Sequence, residues 1–297
     1  GQDSTFAGAK PMGAYTDDSE LGTFQYQPPV GFKSLSSANL PEPTIIDASE
    51  YFNTVAYTGT GTTNSVTVGF APDFTWIKQR NTTRDHQLLD IVRGYQSHIL
   101  YTNLTNAEDV SSSPNFRIDS RDVDGFTVST PTQVNQSGGT YAAWNWKAGG
   151  TAVSNTDGSI TSQVSANTAA GFSIVSYTGN GTGGSTVGHG LSGVDAVIVK
   201  RRDSSAHWQY LDKNLPSGDV LLLSSTQAAT AYSNFSGGAI DNLAATTFSL
   251  ENGSLNCNNV NASGGTYIAY CFANTEGFSK AGSYTGNGNN DGPFIFL

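Results

Sequence analysis

An all-β fold of tandem β-sandwich or jelly-roll-like repeat domains is predicted by three observations. Strong helix formers are scarce, a set of landmarks recurs along the chain, and short β-branched or aromatic runs alternate with turn residues. The 297 residues include six Glu, seven Lys and one Met against 34 Gly, whereas a mainly helical fold draws heavily on Glu, Lys, Leu and Ala. Charged residues make up only 13%, about half the usual share, and the polar remainder is Ser, Thr and Asn. The length is about twice that of one ordinary domain, so more than one core is expected.

Internal self-similarity sets the organisation. The segment Val55-Ala56-Tyr57-Thr58-Gly59-Thr60-Gly61 returns as Val175-Ser176-Tyr177-Thr178-Gly179-Asn180-Gly181 and again as Gly282-Ser283-Tyr284-Thr285-Gly286-Asn287-Gly288, at intervals of 120 and 107 residues. Asp73-Phe74-Thr75-Trp76-Ile77-Lys78-Gln79-Arg80 corresponds to Asp195-Ala196-Val197-Ile198-Val199-Lys200-Arg201-Arg202. Gln87-Leu88-Leu89-Asp90 corresponds to Gln209-Tyr210-Leu211-Asp212, and Gly138-Gly139-Thr140-Tyr141-Ala142-Ala143-Trp144 to Gly264-Gly265-Thr266-Tyr267-Ile268-Ala269-Tyr270. Four landmarks in one order define two complete units and the opening of a third.

The expected division runs in order along the chain. Residues 1–44 differ from the repeats, and the prolines at Pro28-Pro29 and Pro41-Glu42-Pro43 suit an extended junction. Residues 45–150 form repeat 1. Residues 151–170, rich in Gly, Ser, Thr and Asn, read as a linker or a peripheral hairpin. Residues 171–277 form repeat 2, and 278–297 open a third repeat with a strand cut off in an apolar stretch, so the natural polypeptide is expected to continue. Within a unit, Phe74, Trp76 and Lys78 alternate with Thr75, Ile77 and Gln79, and Phe126-Thr127-Val128 follows the turn signal Asp124-Gly125. Tyr141-Ala142-Ala143-Trp144-Asn145-Trp146 alternates large rings with smaller or polar residues, which gives one strand face a wide apolar surface.

A net charge of −10 and a pI near 4.6 argue against nucleic-acid binding, which needs Lys and Arg to displace phosphate counterions. They also argue against an anionic membrane surface, and no apolar run reaches the ~18 residues that span a bilayer. Cys257 and Cys271 match no zinc spacing and read as ordinary strand cysteines, with their pairing left open.

Chemistry-bearing constellations are thin. His86, His98, His189 and His207 form no ligand pair and flank no nucleophile elbow. Asp119-Ser120-Arg121-Asp122-Val123-Asp124-Gly125 lacks the final bidentate acid of a calcium loop and carries Arg121 among the would-be ligands, so a solvated turn is expected and no metal. Asp90 with Asp212, Lys78 with Lys200 and Arg80 with Arg202 are shared by both repeats, which suits a structural contact of Lys or Arg with Asp inside each unit. Seven Asn-x-Ser/Thr sequons, at Asn81, Asn103, Asn135, Asn180, Asn234, Asn252 and Asn261, follow from composition and are assigned no glycan. No catalytic residue and no cofactor are expected. Candidate binding residues are Trp144, Trp146, His207, Trp208 and Tyr210, because aromatic rings stack on the apolar faces of saccharides; for each, a core or subunit-interface role is the reading favoured over binding.

At the landmarks quoted, the chain resembles a repeat family of tail-fibre and other virion proteins of tailed phages. The carrying residues are the Tyr-Thr-Gly-Asn/Thr-Gly start, the Asp73-Phe74-Thr75-Trp76-Ile77-Lys78 strand and the close over residues 138–150. The stretch from Gly1 to Leu35 is similar to the end of a SPRY-like concanavalin-type sandwich that precedes such repeats. Repeat 2 departs from the pattern at Tyr270-Cys271-Phe272, where repeat 1 has Trp144-Asn145-Trp146. The resemblance implies a non-enzymatic virion-surface, extracellular fibre segment, commonly a homotrimer, that self-associates, touches other virion proteins and contacts a host-surface glycan or protein. A purely structural capsid-decoration or filament-forming subunit is the alternative. A polysaccharide-degrading tailspike would need a carboxylate pair in a groove, whereas the six Glu are scattered rather than shared by the repeats.

Overall fold

A computed structural model describes residues 15–24, 26–39, 43–110, 118–129, 133–231, 237–251 and 258–295. The chain divides into two compact units, residues 1–46 and 47–297. In the first, Tyr15 and Phe24 form an antiparallel bridge around buried Asp17, whose carboxylate accepts the backbone N–H groups of Ser19, Leu21 and Ser34, the Ser34 hydroxyl and the Asn39 amide. Cys257, Asn234 and Asn252 lie outside the described residues.

The second unit is all-β and holds both repeats. Repeat 1 contributes β1 (Phe52–Thr58), β2 (Asn64–Thr67), β3 (Phe74–Gln79), β4 (Gln87–Asp90), β5 (Ser120–Asp122), β6 (Gly125–Val128) and β7 (Thr140–Trp146). Its sheet β1-β7-β3-β4 faces the sheet β2-β6-β5 across a core that includes Val66, Ile77, Leu89, Phe126, Val128, Tyr141 and Ala143. The stretch after repeat 1 is no free linker: β8 (Val153–Asn155) and β9 (Ser162–Asn167) form the peripheral hairpin, and β9 pairs with the first strand of repeat 2.

Repeat 2 comprises β10 (Phe172–Thr178), β11 (Ser185–Gly188), β12 (Ala196–Arg201), β13 (Gln209–Asp212), β14 (Asp219–Leu222), β15 (Thr230–Ala231), β16 (Ala239–Leu243), β17 (Thr247–Glu251) and β18 (Thr266–Phe272). An eight-stranded sheet, β15-β14-β13-β12-β18-β10-β9-β8, faces β11-β17-β16 across a core of Val175, Val187, Val197, Val199, Phe248, Leu250 and Ala269, among others. Pairing is antiparallel throughout the named strands, all of which lie in the second unit.

The recurring Tyr-Thr-Gly-x-Gly has one structural cause in both repeats. Tyr57 pairs across β1 and β7 with Tyr141, and Tyr177 across β10 and β18 with Tyr267; the rings stack at 4.8 and 5.0 Å. The Asn135 and Asn261 side chains, fully buried, accept the N–H of Thr60 and Asn180 and donate to the carbonyls of Thr62 and Thr182. Gly61 and Gly181 sit at φ +72° and +77°, which only glycine adopts without cost. A Cβ at Gly59 or Gly179 would overlap the carbonyl oxygen of Gln136 or Ala262.

Two expectations change here. The third copy of the motif forms no strand within residues 278–295. Gly288 keeps the left-handed φ of +71°, but Tyr284 is 70% exposed, with no closing Asn and Tyr docked against it among the described residues. The shared Lys and Asp do not pair with each other either. Lys78 Nζ donates to the carbonyls of Gln79, Thr82 and Arg84, and Lys200 Nζ to those of Ala206 and Thr105. Asp90 and Asp212 instead cap the turns that follow β4 and β13, accepting the N–H of Val92 and of Asn214.

Candidate functional site

A third apolar layer joins the repeats. Phe74, Leu88 and Leu100 of repeat 1 meet Phe172, Ile174, Trp208, Ile268 and Tyr270 of repeat 2, so β18 is buried on two faces while the outer face of β7 is half-buried. This explains why β3 and β7 carry Phe74, Trp76, Trp144 and Trp146 on one face and Ile77, Tyr141 and Ala143 on the other. Phe74 contacts Tyr270 at 4.7 Å and Phe172 at 5.8 Å, edge to face.

The layer is flanked by a buried polar network. Arg93, fully buried, binds Asp90 at 2.5 Å and Glu108 at 2.8 Å. Glu108 reaches across to Arg202 of repeat 2 at 2.7 Å. The Tyr270 hydroxyl donates to Asp90 at 2.6 Å, and burial pushes that phenol well above its ordinary pKa. The Trp208 indole N–H donates to the Tyr101 carbonyl at 2.9 Å. Burial lowers the Lys200 pKa to about 8, aided by Arg201.

The proposed aromatic binding residues divide between this layer and its margins. Trp208 is completely buried and stacked on Tyr270, so its ring contacts protein alone. Trp146 packs among Phe52, Phe74, Phe172 and Phe272 and joins the repeats. His207 is half-buried beside the Ser224 hydroxyl, and Tyr210 is half-buried on β13, its pKa raised by burial and by Asp212. Trp144 is half-buried, 6.0 Å from Trp76, whose indole donates to His86 Nδ1. These five side chains form no single patch.

A cleft that the sequence reading missed opens where the loops of the two repeats meet. It has a volume of about 660 Å³, and its polar lining is Asp85, Tyr101, Asn106, Glu108, Asp109, Gln133 and Ser205. The 99–109 loop is pinned from several sides: Asp109 N–H donates to the Ile99 carbonyl and Glu108 N–H to the Arg202 carbonyl, while the Thr105 carbonyl receives Lys200, Ser205 and the Ala206 N–H. Asn103 holds Asp85 at 2.7 Å. Tyr101 donates to Asp109 at 3.3 Å, and burial together with Asp109 raises its pKa to about 12. None of the lining residues belongs to a landmark, so the repeat gave no signal for them.

Among the described residues no group of three or more His, Cys, Asp or Glu is placed to hold a metal, and no described helix is long and apolar enough to cross a membrane. Residues 47–297 match a protein family described as a domain of unknown function, DUF7483. No curated protein and no solved structure matches the chain.

Proposed function

The chain belongs to the DUF7483 family, whose match covers both repeats, and we propose that it serves as a rigid, non-enzymatic fibre segment on a virion surface that carries contacts toward a host. The observation behind this reading is the inter-repeat layer: two sandwiches share a buried aromatic core and a buried ion-pair network, the construction suited to a stiff spacer. The resemblance to tail-fibre repeats supplies the viral setting. The sparse charge and abundant Ser, Thr, Asn and Gly suit a surface that makes many weak contacts through multivalency. Self-association and contact with other virion proteins belong to the same proposal.

Imaging of the intact particle with a label on residues 171–277 tests it. Label on a thin projecting appendage is the expected result. Label spread over a shell, or running along a continuous filament, overturns the fibre reading and makes the chain a capsid or filament subunit.

A further inference from the structure

We infer that the cleft between the repeats is a binding site for a neutral, hydroxyl-rich saccharide. The inference rests on the fibre reading and names the class of ligand one of its contacts takes. Its volume of about 660 Å³ lies in the range of sites that enclose a small ligand and suits one or two sugar rings.

The lining matches what a sugar presents. Vicinal hydroxyls are paired donors, and of the three lining carboxylates Glu108 is held by Arg93 and Arg202 while Asp85 and Asp109 stand with the amides of Asn106 and Gln133 and the hydroxyl of Ser205 to accept and return hydrogen bonds. Tyr101 adds a ring for the apolar face of a pyranose. No Lys or Arg is among the lining residues, and the nearby guanidinium groups of Arg93 and Arg202 are already paired with the two carboxylates of Asp90 and Glu108. A phosphorylated or uronic-acid ligand would therefore meet carboxylates without a counter-charge, and a neutral sugar is favoured.

The groups are also held before any ligand arrives. Asn103 fixes Asp85, Tyr101 contacts Asp109, and both flanks of the 99–109 loop are tied to backbone carbonyls. Preorganisation of this kind reduces the ordering cost of binding. Ser205 comes from repeat 2 and the other lining residues from repeat 1, so the cleft is complete only where the two repeats are joined.

The test is titration of the whole chain with maltoheptaose and dextran as neutral probes and polygalacturonate as the anionic one. The neutral probes are expected to bind and the anionic one not. Asp85→Asn and Tyr101→Ala are each expected to weaken binding about tenfold or more, from the usual worth of a charge-assisted hydrogen bond or a stacked ring. Tyr101→Phe keeps the ring and most of the affinity, which separates a sugar contact from a folding defect; unchanged melting temperatures of the Asp85→Asn and Tyr101→Phe variants complete that control. Preference for polygalacturonate, equal binding by all variants, or failure of both neutral probes overturns the saccharide site. Particle imaging judges the fibre reading independently, so a labelled appendage that ignores these sugars removes the site alone, and a labelled shell removes the reading beneath it.

Discussion

Gly59 and Gly179 show at single-residue scale why the repeat motif has its spelling. Each lies against a carbonyl oxygen of the closing segment, Gln136 or Ala262, with no room for a Cβ. Gly59→Ala or Gly179→Ala is expected to cost about 2–3 kcal/mol, the usual penalty for overpacking. Gly286→Ala, at the matching place in the third copy, meets nothing within 4 Å and is expected to change stability by less than about 0.5 kcal/mol. Denaturant midpoints of the three variants check this. His189 makes a second residue-scale prediction. It is fully buried, its Nδ1 accepts the Leu191 N–H at 3.1 Å, and burial lowers its pKa from the ordinary 6.5. The folded chain therefore binds that proton less readily than the unfolded chain, so this contribution is complete above about pH 6.5 and is lost as pH falls below it. Melting curves from pH 7.5 to 5.5 should show the loss. His189→Val, which installs the type of Val68 at the corresponding place of repeat 1, should flatten the slope, with a remainder from His86, whose pKa burial and Lys78 also lower.

Among elements, the turn after β4 carries the most. Asp90 caps it, Arg93 fills it, and Glu108 binds Arg93 and Arg202 together. Arg93→Ala would leave Asp90 buried with one cationic partner removed, and the expected loss is about 3–5 kcal/mol. Arg202→Ala leaves the Arg93–Glu108 pair in place and should cost much less, so the difference between the two denaturation midpoints reads the network directly. The strands at Tyr-Thr-Gly and Gly-Gly-Thr-Tyr were legible from their recurrence, while the structure alone set the two motifs opposite each other at one end of the β1–β7 and β10–β18 pairings. The hairpin β8–β9 was only half legible: its Ser, Thr and Asn residues suit an exposed edge and a linker alike.

For the whole of residues 47–297, the shared layer makes the two repeats one cooperative body. Calorimetry of the chain should show one dominant transition for this unit, its calorimetric and van't Hoff enthalpies agreeing. Trp208→Ala, which empties the largest fully buried side-chain position of that layer, is expected to cost about 3–5 kcal/mol and to lower the stability of both repeats together. Two resolved transitions, with only one moved by the substitution, would show that the repeats unfold separately.

The fold class and the recurring landmarks were determined by the sequence itself, because alternation, turn residues and a recurring motif act locally and survive as pattern. Tertiary structure alone decided which face each ring occupies. Both faces of β3 and β7 are apolar, so alternation could not say that Trp146 and Trp208 join the repeats while Tyr141 lies inside a sandwich. It also decided the partners of Lys78, Lys200 and Asp90, since loop carbonyls leave no mark in composition. The cleft at Asp85, Tyr101 and Asp109 was hidden for the same reason: its lining comes from unrepeated loops brought together only when one sandwich packs against the other.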